Sequence, residues 1–191
     1  MTLTAYARPL TDRIVLPVAK GLVRMGATPN WLTVSGLALV LVGIGIVLGG
    51  HEQLGAMVMA LATVVDGLDG AVARLRGTDC AFGSFLDSVA DRVADAAILG
   101  AAAWLVRDDS LLFIVAMIAL AAALITSYIR AKAESLGWQA TVGLVERPER
   151  MAVLILGIGF GFVPAAVWFL AIGGLVTVSQ RLRCVTRQAL H

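Results

Sequence analysis

Long runs of apolar residues alternate with short polar segments along most of the chain. Residues 31–50 form a run of twenty residues without a charged side chain, and residues 111–129 form another of nineteen. At about 1.5 Å per residue, a helix of about twenty residues crosses a hydrocarbon core of about 30 Å. Both runs therefore predict transmembrane helices.

Four further apolar segments are less regular. Residues 54–73 and 82–106 are long enough to span a membrane, although aspartates interrupt both, and the shorter segments 151–162 and 165–179 are separated by a break near residues 161–164. The pattern predicts an all-α integral membrane protein with six transmembrane helices, which form a bundle over about residues 30–188.

The segment before the first span has an amphipathic pattern. Ile14, Val18 and Leu22 recur at i, i+4 and i+8, while the basic residues of this segment occupy another side. Such a pattern is typical of a helix that lies in the membrane surface. We predict an N-terminal interfacial helix over about residues 5–25; a basic leader that only fixes the topology is the alternative.

Composition supports a membrane protein and excludes other classes. Of the 191 residues, 59% are hydrophobic and 15% charged, whereas soluble domains average about 45–50% and about 25%. The net charge of +2 and the two cysteines exclude a soluble nucleic-acid binder and a disulfide scaffold. We expect one domain over residues 1–191 and no nucleic-acid partner.

The basic residues are distributed asymmetrically between the predicted loops. With the N-terminus inside, only Arg92, within a span, and Arg107, outside, depart from the inner side among the 15 basic residues. The positive-inside rule therefore predicts a multi-pass protein of the cell inner membrane with both termini cytoplasmic. Cys80 and Cys184 fall on this reducing side, where free thiols are expected.

Five aspartates interrupt the apolar spans: Asp66, Asp69, Asp87, Asp91 and Asp95. A charged side chain at the bilayer centre costs about 2.5–3.5 kcal/mol. Spacings of i, i+3 and i, i+4 place the first two and the next two on one helix face each. A short inner connection lets these faces meet. Asp95, one turn further along, is expected to pair with Arg92 or with a neighbouring helix, and an extension of the polar cavity is the alternative.

Four facing carboxylates point to divalent cations. Hard oxygen ligands suit Mg²⁺, Mn²⁺ or Ca²⁺, and four of them can hold two ions about 3.5–4 Å apart, as in displacements at phosphorus. Arg74 lies one turn after Gly70 and carries a guanidinium that fits a phosphate. The small residues Gly70, Ala73 and Gly83 leave space for a ring or a diphosphate. The acids, the small residues and the arginine together suggest a bound nucleotide diphosphate.

The pattern DGLDGAVAR (residues 66–74), followed after eight residues by Gly83 and then by Asp87 and Asp91 at four-residue intervals, resembles the signature of the CDP-alcohol phosphotransferases. The resemblance implies a six-span fold, usually a homodimer, that transfers a phosphatidyl or similar group from a CDP-linked lipid to an alcohol and releases CMP. It implies that Asp66, Asp69, Asp87 and Asp91 bind Mg²⁺ or Mn²⁺, as two ions, and that Asp91 is the catalytic base. The CDP-lipid is expected to contact Asn30, Thr33, Asp66, Asp69, Gly70, Arg74 and Gly83.

Segments further along the chain indicate the acceptor alcohol. SYIRAKAE (127–134), VERPER (145–150) and QRL (180–182) resemble the phosphatidylinositol-phosphate synthases of actinobacteria. The resemblance implies CDP-diacylglycerol as donor and inositol phosphate as acceptor, the latter bound by Ser127, Arg130, Arg150 and Arg181. Glycerol 3-phosphate would need a similar basic pocket, so a phosphatidylglycerophosphate synthase is the alternative within the family.

A different class of function also uses intramembrane acids with basic partners, namely ion-coupled transporters. Against this alternative, the sequence contains no inverted repeat and no pair of broken helices. The acids also lie near one predicted membrane surface rather than at the midplane. The sequence therefore favours an enzyme whose active site faces the cytoplasm and whose lipid substrate enters from the bilayer.

Overall fold

The computed structural model describes residues 16–77 and 80–190, in which every regular element is a helix. The helices are α1 (residues 16–24), α2 (Pro29–Leu48), α3 (Glu52–Arg76), α4 (Ala81–Leu105), α5 (Ser110–Ser135), α6 (Arg147–Gly159) and α7 (Val163–Ala189). Helices α2–α7 follow the six predicted apolar segments in order. The predicted all-helical class is confirmed.

Among the described residues, four helices are long and apolar enough to cross a membrane: α2, α3, α5 and α7. Helix α4 has 25 residues, but its acidic residues interrupt the apolar sequence. Helix α6 has only 13 residues, which extend about 20 Å and fall short of a hydrocarbon core of about 30 Å. The four apolar helices are those expected of a membrane protein.

Local sequence signals fix the ends of the helices. The Thr28 side chain accepts a hydrogen bond from the Trp31 backbone N–H (3.3 Å) and caps α2, and Asp109 caps α5 in the same manner. Gly77 ends α3 with a φ of 62°, and Gly161 has a φ of 75° in the turn between α6 and α7, where a left-handed conformation favours glycine. The predicted break near residues 161–164 is confirmed.

Small residues allow the helices to approach closely. A Cβ atom on Gly55 of α3 would lie 2.5 Å from the Gly43 carbonyl oxygen of α2, and one on Gly157 of α6 would lie 2.7 Å from the Ala166 Cβ of α7. Interfaces built from small residues permit such backbone contact in membrane helices. This close packing draws α3 against α2 and the short helix α6 against α7.

Helix α1 packs beneath the bundle. Ala19 is fully buried, and Leu22 and Val23 pack with it against α2 and α3. Val18, in contrast, is 47% exposed. The helix therefore has one face against protein and one face away from it, while Ile14 and the rest of the predicted segment 5–15 lie outside the described residues.

Short connections make successive helices reverse direction. The beginnings of α2, α4 and α6 therefore lie at the same end of the bundle as the ends of α3, α5 and α7. This end of the bundle carries the predicted acidic residues of α3 and α4. It also carries the predicted basic residues of α5, α6 and α7, so that both sets can contribute to one site.

Candidate functional site

Three carboxylates of α3 and α4 form an acidic cluster, defined by Asp66, Asp69 and Asp87. One oxygen atom from each lies within 4.8 Å of the others, and all three side chains are partly buried. The two α3 residues share a face because they are three positions apart. Oxygen ligands of this kind suit a hard divalent cation, so the residues present fit the predicted metal.

Helix α2 contributes a hydrogen bond to the acidic cluster. The Thr33 hydroxyl donates to Asp69 Oδ2 at 2.8 Å. Thr33 itself is buried at the start of α2, one turn after Pro29. The hydrogen bond fixes the orientation of the Asp69 carboxylate, which leaves fewer rotamers to be ordered when a cation binds.

The fourth predicted ligand, Asp91, lies beside an arginine rather than within the acidic cluster. Arg147 Nη2 is 2.7 Å from Asp91 Oδ1, and Arg147 Nη1 donates to Asp66 Oδ2 at 3.0 Å. One guanidinium therefore joins a carboxylate of α3 to a carboxylate of α4. The Arg147 Nε atom also lies 4.0 Å from Asp95 Oδ1.

Asp95 forms a buried ion pair with α6. Its side chain is 2% exposed and accepts a hydrogen bond from Arg150 Nη2 at 2.5 Å. The expected pairing with a neighbouring helix is confirmed, whereas Arg92 donates to the Ser88 carbonyl oxygen of its own helix. Removing one partner of a buried ion pair typically destabilises a protein by about 3–5 kcal/mol.

A small cavity of about 220 Å³ opens beside the acidic cluster. Five of the seven predicted CDP-lipid contacts line it: Asn30, Thr33, Asp69, Gly70 and Gly83. A Cβ atom on Gly83 would lie 3.3 Å from Asn30 Oδ1, so a side chain there would narrow the cavity. Arg74 is exposed one turn after Gly70 and does not line the small cavity.

A second cavity of about 540 Å³ lies between α4, α5, α6 and α7. Five arginines and five acidic residues line it, and we call it the basic cavity after the arginines. All four predicted acceptor contacts line it: Ser127, Arg130, Arg150 and Arg181. Asp91 and Arg147 also line the basic cavity, and Ser84 and Asp87 line both cavities. The two cavities therefore meet at the acidic cluster.

The three predicted acceptor arginines differ in how firmly they are held. Arg181 donates to the carbonyl oxygens of Thr126 and Val142, both at 2.9 Å. Arg150 is held by its buried ion pair with Asp95. Arg130, in contrast, is 47% exposed, and its only ion-pair partner in the part of the chain that the structure describes is Glu134, which is 52% exposed. Arg130 is thus the one of the three that is free to adapt to a ligand.

Arg147 is a site residue that the sequence analysis did not identify individually, although it lies within the segment VERPER (145–150) that indicates the acceptor. The sequence did contain a signal for Arg147: it lies three positions before Arg150 and therefore shares a helix face with it. The sequence did not reveal that this face meets Asp66, which is 81 positions away.

Comparisons with known proteins agree with this arrangement. The sequence model of the CDP-alcohol phosphatidyltransferase family matches residues 26–179. A phosphatidylinositol phosphate synthase from Mycobacterium marinum is 37% identical over an alignment of 193 positions. The alignment covers 94% of this chain and 82% of the relative.

Solved structures of similar proteins share the fold. Crystal structures of a Mycobacterium tuberculosis phosphatidylinositol phosphate synthase superpose with a TM-score of 0.84 for the form with CDP-DAG bound and 0.83 for the complex with manganese and citrate. Both are 34% identical to this chain. The first match covers 91% of this chain and 94% of the other, and the second covers 90% and 88%.

Proposed function

The chain belongs to the CDP-alcohol phosphatidyltransferase family, and we propose that it transfers the phosphatidyl group of CDP-diacylglycerol to inositol phosphate, giving phosphatidylinositol phosphate and CMP. One observation carries the proposal: a small cavity for a nucleotide and a basic cavity for a phosphorylated acceptor meet at an acidic cluster. The names of the similar proteins support the same reaction.

The acidic cluster is the proposed site of Mg²⁺ or Mn²⁺. Asp66, Asp69 and Asp87 would hold a first ion, and Asp91 would complete the site of a second together with members of the acidic cluster. Bound manganese in a similar structure supports this choice. When bound, the ions would neutralise charge on the diphosphate and on the leaving CMP.

The small cavity is the proposed site of the CDP group. Asn30 and Thr33 would line it from α2, and Gly70 and Gly83 would leave room for the nucleotide against the helix backbones. Asp66 and Asp69 would contact the diphosphate through metal. Arg74, which is exposed beside this cavity, would reach a phosphate oxygen with its flexible side chain.

Asp91 is the proposed base. It is 16% exposed and lines the basic cavity, where it can take the proton of the attacking inositol hydroxyl. The hydroxyl oxygen then bonds to the phosphorus that bears the lipid, the bond from that phosphorus to the CMP oxygen breaks, and CMP leaves with the electron pair. The other side chains of the basic cavity would orient the acceptor for this attack.

Ser127, Arg130, Arg150 and Arg181 are the proposed contacts of the acceptor phosphate. They line one cavity from α5, α6 and α7, and guanidinium groups bind phosphate through charge-assisted hydrogen bonds. Arg150 and Arg181 are already positioned by protein contacts. Their rigidity would fix the phosphate, while Arg130 would close on it from the more open side.

Replacing Arg130 with alanine is expected to raise the KM for inositol phosphate about tenfold, because one charge-assisted hydrogen bond is lost. The kcat is expected to change little. Steady-state CMP release over a range of acceptor concentrations measures both. Lys132→Ala is the matched control, since Lys132 is exposed on the same helix and does not line the basic cavity. An unchanged KM in Arg130→Ala would contradict the proposed contact.

We further propose a six-span topology in the cell inner membrane, with α1 in the membrane surface and the two cavities open toward the cytoplasm. The 13-residue α6 would begin within the bilayer, beside the site, rather than at the membrane surface. The whole chain would form one domain. The charge asymmetry and the exposed apolar side chains of the helices support this topology, and lipid would enter the small cavity from the bilayer. The homodimer implied by the family is tested by light scattering in detergent.

The proposed reaction is tested by CMP release from purified protein in detergent with CDP-diacylglycerol and Mn²⁺ or Mg²⁺. Inositol phosphate, glycerol 3-phosphate, inositol and serine are supplied one at a time. We expect release with inositol phosphate alone. Release only with glycerol 3-phosphate would overturn the acceptor, and absence of both release and CDP-lipid binding would overturn the reaction.

A further inference from the structure

Arg147 occupies the gap between carboxylates that are proposed to hold metal. Its two Nη atoms contact Asp66 Oδ2 at 3.0 Å and Asp91 Oδ1 at 2.7 Å, on two different helices. The Arg147 side chain as a whole is one-third exposed, although its Nε atom is buried, so the residue lies at the edge of the basic cavity. Its charge offsets the repulsion that four neighbouring carboxylates would otherwise exert on one another.

The contact with Asp91 is not a complete hydrogen bond. Asp91 Oδ1 is buried without a hydrogen-bond partner among the described residues, although it lies close to Arg147 Nη2. The pairing is therefore held mainly by charge, without the directional hydrogen bond that would fix the guanidinium against Asp91.

Asp95 offers the Arg147 guanidinium a second position close to the one it occupies between Asp66 and Asp91. Arg147 Nε and Asp95 Oδ1 are 4.0 Å apart, and both are buried without a hydrogen-bond partner in the described part of the chain. Unpaired buried polar atoms are unfavourable. A small movement of the guanidinium toward Asp95 would bring this donor and this acceptor into hydrogen-bond distance.

We propose that Arg147 is a built-in counter-ion, which holds Asp66 and Asp91 when no divalent cation is bound and withdraws toward Asp95 when one binds there. This inference rests on the proposed metal site. Arg147 and the cation carry charge of the same sign and use the same two carboxylates, so they compete for them. Arg147 is thus a positioning residue that keeps α3 and α4 together in the metal-free protein and sets the affinity for metal.

The inference is tested by measuring Mn²⁺ binding to Arg147→Gln by titration calorimetry and by electron paramagnetic resonance in detergent. Loss of the competing ion pair is expected to tighten Mn²⁺ binding about tenfold. Without metal, the Tm of Arg147→Gln is expected to fall by about 4 °C or more relative to the native protein. With saturating Mn²⁺ the difference in Tm is expected to shrink, because the native protein has then also lost these contacts.

Arg92→Gln is the matched control. Arg92 is also near Asp91, with 4.0 Å between Nη1 and Oδ2, but it does not join two helices. We expect it to change Mn²⁺ affinity much less than Arg147→Gln. If both variants bound Mn²⁺ more tightly to the same extent, the loss of any nearby positive charge would explain the change, and the inference would be overturned. Unchanged or weaker Mn²⁺ binding in Arg147→Gln would also overturn it.

Arg147→Lys provides a second variant should the glutamine variant fail to fold. Lysine keeps the charge but lacks the forked guanidinium that reaches two carboxylates. We therefore expect the Mn²⁺ affinity of Arg147→Lys to lie between that of the native protein and that of Arg147→Gln. Affinity identical to that of the native protein would overturn the bridging role. A native protein that binds no Mn²⁺ would instead overturn the proposed metal site itself, which distinguishes the two failures.

Discussion

Replacing Asp91 with asparagine is expected to lower the rate of CMP release by about 10²–10⁴-fold, the range that a general base contributes. Asparagine has nearly the same shape but cannot accept the proton of the inositol hydroxyl. Asp91 does not line the small cavity, so binding of CDP-diacylglycerol is expected to persist. Turnover is measured by CMP release and binding by retention of labelled CDP-diacylglycerol.

A control variant and a measurement of thermal stability separate a catalytic role of Asp91 from a structural one. Asp108→Asn removes a carboxylate that is exposed at the opposite end of the bundle and is expected to keep the native rate. If Asp91→Asn lost lipid binding and thermal stability together, the residue would be structural. A native rate in Asp91→Asn would assign the base to another group.

Removal of divalent metal is expected to abolish CMP release. Asp66, Asp69 and Asp87 are close enough to share one cation, and without it their charge would repel the diphosphate of the donor. Excess EDTA should therefore stop the reaction, and added Mn²⁺ or Mg²⁺ should restore it. Thermal unfolding in EDTA, measured in parallel, shows whether the protein remains folded during the assay.

Substitution of a proposed metal ligand is also expected to weaken the binding of divalent metal. Asp69→Asn keeps the volume of the side chain and a carbonyl oxygen that can accept from Thr33, but loses the charge. It is expected to bind Mn²⁺ at least tenfold more weakly, because a cation prefers a carboxylate to an amide oxygen. Glu52→Gln, at the opposite end of α3, is the matched control. Activity that survives excess chelator would contradict a metal-dependent reaction.

Much of the fold and part of the site could be predicted from local patterns. Apolar runs of membrane length predict helices because the backbone must satisfy its hydrogen bonds internally in lipid. The spacing of Asp66 and Asp69 predicts a shared face on any helix. The break after α6 was predicted near Gly161, which adopts a left-handed conformation there.

Other features depended on contacts that no local pattern contains. The pattern G-x-x-x-G at Gly45 and Gly49 resembles a helix-packing site, yet the space beside Gly45 is open, and Gly43 instead meets Gly55. Small residues are compatible with several interfaces, and the rotation of each helix selects one. Likewise, the family resemblance implied that Arg181 binds the acceptor, but no local pattern contained the carbonyl oxygens of Thr126 and Val142 that hold its side chain.

The sequence alone determined the helical class, the family and the placement of the acidic residues on two helix faces. These properties depend on composition and on spacing within single helices. The tertiary structure alone decided which acids share a metal-sized cluster and which pair with arginine. Asp91 faces Arg147 and Asp95 faces Arg150, because partner choice depends on how α4 and α6 are rotated and brought together by packing.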